Sequence, residues 1–117
     1  MIGWLLRLFG LGEPMPCFAR SPDWPRVRKA HLGEHPACEG CGTQNDLEVH
    51  HLHPVFAFPD LELDPSNLVT LCGDGARGCH FRLGHCFSWF AWNIHVLDDC
   101  QLQRQRIATR RVKKEAA

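Results

Sequence analysis

The sequence predicts a small α+β domain, a short antiparallel hairpin with helices gathered around bound metal. Three observations predict it. Cysteines come in two pairs, Cys38 with Cys41 and Cys72 with Cys79, each pair at one end of a strand-like run. Leu47-Glu48-Val49-His50 alternates apolar and polar, and Leu68-Val69-Thr70-Leu71 reads as a second strand antiparallel to it. Histidines sit on the same segments, as the pair His50-His51 and as His80 directly after Cys79. The chain has 117 residues, 44% of them hydrophobic, enough for one compact domain. A core of that size often needs a metal or disulfides as a staple.

Taken in order, the opening MIGWLLRLFGLGEPMP is apolar but interrupted by Arg7 and too short to span a bilayer. It lacks a small-residue cleavage site, so it reads as an N-terminal extension (1–19) with an amphipathic turn packing Trp4, Leu5, Leu8 and Phe9. Pro14 and Pro16 mark a linker. Ser21 then serves as N-cap with Pro22 at the first helical position, and the helix runs through VRKAHLGEH to stop before Pro36. Its buried side is Trp24, Val27, His31 and Leu32. A tight Cys-x-x-Cys-Gly turn follows at 38–42. Between the strands, Pro54, Pro59 and Pro65 make 54–66 a loop, and Gly73, Gly75 and Gly78 loosen the stretch after the second strand. From Cys79 the spacing of Phe81, Leu83, Phe87, Phe90 and Ala91 is helical. Gly84 weakens that helix by about 1 kcal/mol relative to alanine. Asp98 caps a last helix over about 99–114.

Formal charge is zero, which argues against a uniformly basic nucleic-acid module. The distribution says more than the sum. Arg20, Arg26, Arg28 and Lys29 crowd one flank, and Arg104, Arg106, Arg110, Arg111, Lys113 and Lys114 crowd the other without an intervening acid. The acids concentrate between Glu34 and Asp99. Basic ends around an acidic middle suit a protein whose flanks grip phosphates, although either flank alone reads equally well as a solvated helix face.

Seven cysteines form an odd number, and no secretory signal accompanies them, so a disulfide framework is not expected. Metal-bound thiolates in a reducing cytoplasm fit better. Cys38, Cys41, Cys72 and Cys79 make a four-thiolate set suited to a tetrahedral structural Zn2+ that pins the two strands together. Cys17, Cys86 and Cys100 read as small apolar fillers. In the second cluster, side chains alternate along a strand, so His50 and His51 face opposite ways. One can hold a metal while the other faces substrate, and His80, anchored behind a zinc cysteine, can reach the same metal.

The pieces CEGCG, LEVHHLHP, LDPSNLVTLC and GCHFRLGH, in this order, resemble the HNH endonucleases of the ββα-metal (His-Me finger) superfamily, in particular small stand-alone bacterial and phage members. The likeness covers roughly residues 20–100, leaving 101–117 as a C-terminal basic helix. It implies a ββα-metal core that hydrolyses DNA phosphodiester bonds. His50 and His80 would bind the catalytic divalent ion, His51 would be the general base, and Asn67 would hold the base through backbone hydrogen bonds. Cys38, Cys41, Cys72 and Cys79 match the structural zinc site. The chemistry agrees, because a divalent ion must offset charge building on phosphate oxygens and a neutral imidazole can deprotonate water. The implied products are a 5′-phosphate and a 3′-hydroxyl. Magnesium is the expected ion, with Mn2+ or Ni2+ also suited to imidazoles.

His85 is a further candidate for the metal. Five residues after His80 it would lie about 140° away on an ideal helix, unless a break at Gly84 returns it. His53 follows the pair just before Pro54 and reads as a loop histidine. His31, His35 and His95 read as core or surface residues, and Trp89 and Trp92 as core. Arg26, Lys29, Arg77 and Arg82 are the expected phosphate contacts. The expected behaviour is nicking with low sequence specificity by a monomer or weak dimer, without a membrane role. Two rivals stand beside it: a non-catalytic zinc module that binds DNA or protein, and a nuclease subunit working with other proteins of a phage or bacterial system.

Overall fold

A computed structural model describes residues 20–117. The amphipathic turn expected at the N-terminus, and Cys17, lie outside the described residues. Helix α1 spans Trp24–Glu34, strand β1 Leu47–His51, strand β2 Leu68–Cys72, and helix α2 Val96–Ala116. A π-helical turn, His80–Gly84, lies between β2 and α2. Short 3-10 turns at Pro59–Leu61 and Pro65–Asn67 interrupt the loop between the strands.

The two strands pair antiparallel, with Leu47 opposite Cys72, Val49 opposite Thr70 and His51 opposite Leu68. This is the hairpin the sequence predicts, one residue longer on each strand. Its sequence periodicity explains the two faces. Glu48 and His50 leave β1 on one side, and Leu47, Val49 and His51 on the other. Strand β2 is buried along its whole length. The core clusters Cys38, Val69, Leu71, Cys72, Cys79, Val96 and Cys100, with Leu47, Leu52 and Leu83 packed against it. Sulfur supplies over half of these buried residues, as expected of a domain that is stapled rather than filled.

Three helix expectations need correction. Helix α1 begins at Trp24 with Asp23 at the N-cap position, two residues beyond the expected start. The Ser21 hydroxyl instead accepts the Asp23 N–H and the Ser21 carbonyl the Trp24 N–H, so the serine closes a turn before the helix. The last helix starts earlier than expected, at Val96, which places Asp98 and Asp99 in its first turn, where the helix dipole favours them. The helix from Cys79 is cut short. After Gly84 the chain turns through Cys86 and Phe87, both with positive φ (51° and 65°), a conformation that ends helical hydrogen bonding. Phe87 and Phe90, expected on a buried helical stripe, are consequently exposed. Trp89 is also exposed, and Cys86, expected as an apolar filler, faces solvent. Cys100 does fill the core.

Only the first turns of α2 are packed. Val96 and Cys100 are buried, whereas from Arg104 to Ala117 all but Ile107 are exposed. None of the described helices is long and apolar enough to cross a membrane.

Candidate metal centre

Two clusters of potential metal-ligating side chains are built on the hairpin and the segments that flank it. In the first, the sulfurs of Cys38, Cys41, Cys72 and Cys79 lie within 4.8 Å of one another. The Cys-x-x-Cys turn is closed by Gly42 N–H donating to the Cys38 carbonyl, with Gly42 at φ 79°, a value that suits glycine. Cys41 Sγ and Cys72 Sγ are 3.8 Å apart. A zinc tetrahedron with bonds of about 2.3 Å has an edge of about 3.8 Å, so the donor set fits the ion. The Gly40 N–H donates to Cys38 Sγ at 3.3 Å, and Gln103 Nε2–H donates to Cys79 Sγ at 3.3 Å, as thiolates require. A hydrogen bond with Cys79 pulls the Cys38 thiol down to about 4, and the same contact pushes Cys79 up. The sulfurs thus share protons, which a zinc ion would displace. The longer spacing between Cys72 and Cys79 is taken up by the glycine loop, where Gly78 N–H returns to the Gly73 carbonyl.

The second cluster unites His50, His80 and His85, one ligand nitrogen from each within 4.8 Å of the others. His50 is 2% exposed, and its Nε2 is buried without a hydrogen-bond partner. His80 donates Nδ1–H to Glu48 Oε2 at 2.7 Å, and His85 donates Nδ1–H to the Ala91 carbonyl at 2.7 Å. The Nε2 atoms of these two rings then face each other at 3.2 Å. With both Nδ1–H bonds spent outward, only a proton or a cation can bridge that gap. Tetrahedral imidazole ligands at about 2.0–2.1 Å place their nitrogens about 3.3 Å apart, so these residues fit a divalent transition metal. Burial, then the neighbouring histidines, holds His50 down to about 3, and burial also lowers His85.

The π-turn explains how His85 joins. Hydrogen bonding from i to i+5 stacks residues five apart, where an α-helix would separate them. Gly84 allows this turn to lie on His50, since a Cβ there would stand 2.9 Å from His50 Cε1 and 3.0 Å from Nδ1.

His51 points to the other side of β1. Its ring lies 4.6 Å from Trp24, and Nε2–H donates to the Glu62 carbonyl at 2.9 Å, which leaves Nδ1 as the basic nitrogen. Burial lowers its pKa, so the ring is neutral at ordinary pH. Asn67, 3% exposed, braces this region. It accepts the His53 N–H at 2.8 Å and donates to the carbonyls of His53 and Leu61, both at 3.0 Å. Leu61 precedes Glu62, so Asn67 fixes the loop that fixes His51. His53 is exposed, and its backbone serves where its ring does not.

Other expected residues stand apart. Arg26 is exposed and 3.6 Å from Asp23. Lys29 and Arg77 are exposed. Arg82 is engaged internally, donating to the Arg77 carbonyl at 3.0 Å and to Gln103 Oε1 at 3.1 Å. Sequence reasoning missed Glu48 and Glu62. Glu48 could have been found from alternation, being two residues before His50 and therefore on its face. Glu62 accepts the Ser21 N–H at 3.0 Å through its buried carboxylate, a link of 41 residues that no local pattern signals.

An antiparallel hairpin followed by a metal-binding helical turn, stapled by four cysteines, defines a ββα-metal domain with a zinc site. Residues 38–84, which span the hairpin and the turn carrying His80, match the family model of the HNH endonucleases. No curated protein and no solved structure matches the chain.

Proposed function

We propose that the chain is a metal-dependent endonuclease that hydrolyses DNA phosphodiester bonds, leaving a 5′-phosphate and a 3′-hydroxyl. The observation that carries this reading is the convergence of three histidine nitrogens, one of them buried and unpartnered, beside a histidine whose tautomer is fixed by a carbonyl. A zinc module that only binds would have no use for that second cluster.

In this reading His50, His80 and His85 would hold a divalent ion, whose charge would offset the negative charge that builds on a phosphodiester under attack. Three imidazoles shift the expected ion from magnesium toward manganese, nickel or zinc, because magnesium favours oxygen ligands. Glu48 and the Ala91 carbonyl orient two of these rings through their Nδ1–H groups. His51 takes a proton from the attacking water at Nδ1, while the Glu62 carbonyl keeps Nε2–H in place and steadies the imidazolium that forms. Asn67 acts through the loop and does not touch the reacting atoms. Arg26, Lys29 and Arg77, with the basic face of α2, contact phosphates away from the bond that breaks; Arg82 contributes charge from its fixed position. Backbone contacts of this kind give low sequence specificity, and one site per chain gives nicks. The cytoplasm keeps the zinc thiolates reduced.

The test is supercoiled plasmid incubated with manganese, nickel or magnesium beside His51→Ala with its zinc content measured. Metal-dependent nicking that the zinc-loaded variant lacks is expected. Equal nicking by both proteins would remove His51 as the base, and no cleavage of plasmid or of single-stranded DNA with any of these ions, by folded and zinc-loaded wild type, would remove the nuclease.

A further inference from the structure

Five large aromatic side chains stand exposed on the two loops that border the three-histidine cluster. Phe87 (66% exposed), Trp89 (56%) and Phe90 (94%) follow His85, and Phe56 (44%) and Phe58 (41%) come from the loop between the strands. The loops meet where Phe56 packs edge-on against Trp92, ring centroids 5.5 Å apart. Trp89 joins this surface to the metal cluster, its ring 4.9 Å from His85 and 5.3 Å from His80. A group stacked against Trp89 is therefore within a few ångströms of His80 and His85.

Charge decides what that group is. Neither bordering loop, 52–67 or 85–95, contains a lysine or arginine, and the first carries Asp60, Glu62 and Asp64. The guanidinium of Arg82, behind the π-turn, is occupied by Gln103 and the Arg77 carbonyl. A duplex presents phosphates on its outside and hides its base faces, so it would meet this rim with its least compatible surface. Unpaired bases present flat apolar faces, which stack on exposed aromatic rings irrespective of sequence. The backbone at Cys86 and Phe87 adopts positive φ, which turns Phe87 and Phe90 outward instead of onto a buried helical stripe.

We propose that the aromatic rim is a stacking platform for unpaired bases, making single-stranded DNA, or single-stranded segments of branched DNA, the preferred substrate of this centre. The proposal rests on the nuclease reading for its relevance to cleavage, but its test reads binding alone. Full-length zinc-loaded protein is titrated, in calcium without a catalytic ion, against a fluorescent oligothymidylate and against a blunt duplex of equal length. Anisotropy gives both affinities for the wild type and for Phe90→Ala, whose zinc content and circular dichroism confirm the fold.

The single strand should bind at least about tenfold tighter than the duplex. Phe90→Ala should weaken it about 5- to 150-fold, the loss of one stacked base, and leave duplex binding unchanged. Duplex preference, or single-strand binding indifferent to Phe90→Ala, overturns the proposal and reassigns the rim to a protein partner or to residues 1–19. Single-strand binding that needs Phe90, in a protein that cleaves nothing with any ion, upholds the platform and removes only the nuclease. Cleavage of duplex alone, by protein indifferent to Phe90, does the reverse.

Discussion

Replacing Asn67 with alanine removes three hydrogen bonds at once, and the consequence can be sized from the structure. The side chain is 3% exposed and binds the His53 N–H, the His53 carbonyl and the Leu61 carbonyl at 2.8–3.0 Å. Each such bond is worth about 1 kcal/mol net, and a buried group left unpaired costs more. His53 lies near the surface, where water replaces part of what is lost, so the whole change is about 2–3 kcal/mol. Against a domain stability of about 5–15 kcal/mol, that is a large fraction. It corresponds to a fall in Tm of about 10–20 °C for a domain this small. Thermal unfolding followed by circular dichroism, with zinc kept in excess, measures it. Asn67→Asp keeps the acceptor for the His53 N–H but sets an oxygen against two carbonyl oxygens, so it should be no more stable than the alanine variant. Nicking well below Tm should fall further than the unfolded fraction explains, because the Glu62 carbonyl loses its brace. A Tm drop under about 3 °C for Asn67→Ala, or a wild-type Tm for Asn67→Asp, would refute the bracing role.

Other outcomes follow from the same geometry. Gly84→Ala forces a methyl against the His50 ring, an overpacking cost of about 1–3 kcal/mol, and should weaken manganese or nickel binding while one zinc per chain is retained. Calorimetric titration reads this, and an unchanged affinity would show that the turn yields freely. Glu48→Ala frees the His80 ring and should cost about 10- to 100-fold in affinity at the same site. Cys72→Ser, or a strong chelator, withdraws about 10–16 kcal/mol of zinc binding, as much as such a domain possesses, and the far-ultraviolet signal should collapse. His31 is buried with its Nε2 unpartnered, and burial, aided by His35, holds its pKa below 6.5. Above about 6.5 neither state is protonated there. As pH falls through that value, the unfolded chain takes up a proton that the folded chain refuses, and stability drops. Denaturant titrations at pH 7.5 and 5.5 should show a smaller loss for His31→Gln than for wild type.

What the sequence revealed and what it hid divide along the range of the interactions. Both strands were legible because alternation and β-branched residues are local signals, and the four cysteines because ligands of one ion must recur at set intervals. His85 was only half legible. Its spacing from His80 is wrong for an α-helix, and nothing in five residues announces a π-turn. The failed helix beyond Gly84 has the same root, since Phe81, Leu83, Phe87 and Phe90 satisfy helical periodicity while Cys86 and Phe87 adopt positive φ. Apolar spacing reports which face could be buried, and an exposed aromatic rim defeats it. Glu62 and Gln103 act across 41 and 63 residues, where pattern has no reach.

Gln103 has a mechanical consequence. Its amide donates both to the Gly40 carbonyl and to Cys79 Sγ, so one side chain clamps α2 to the two halves of the zinc knuckle. Beyond it the helix runs to Ala116 almost entirely in solvent, carrying Arg104, Arg106, Arg110, Arg111, Lys113 and Lys114. The zinc site is thus the bearing on which a charged lever pivots, and the lever's angle to the hairpin is set where sulfur, amide and carbonyl meet. Loosening that bearing at Gln103 would leave both sets of ligating side chains in place while letting the basic arm swing relative to the hairpin.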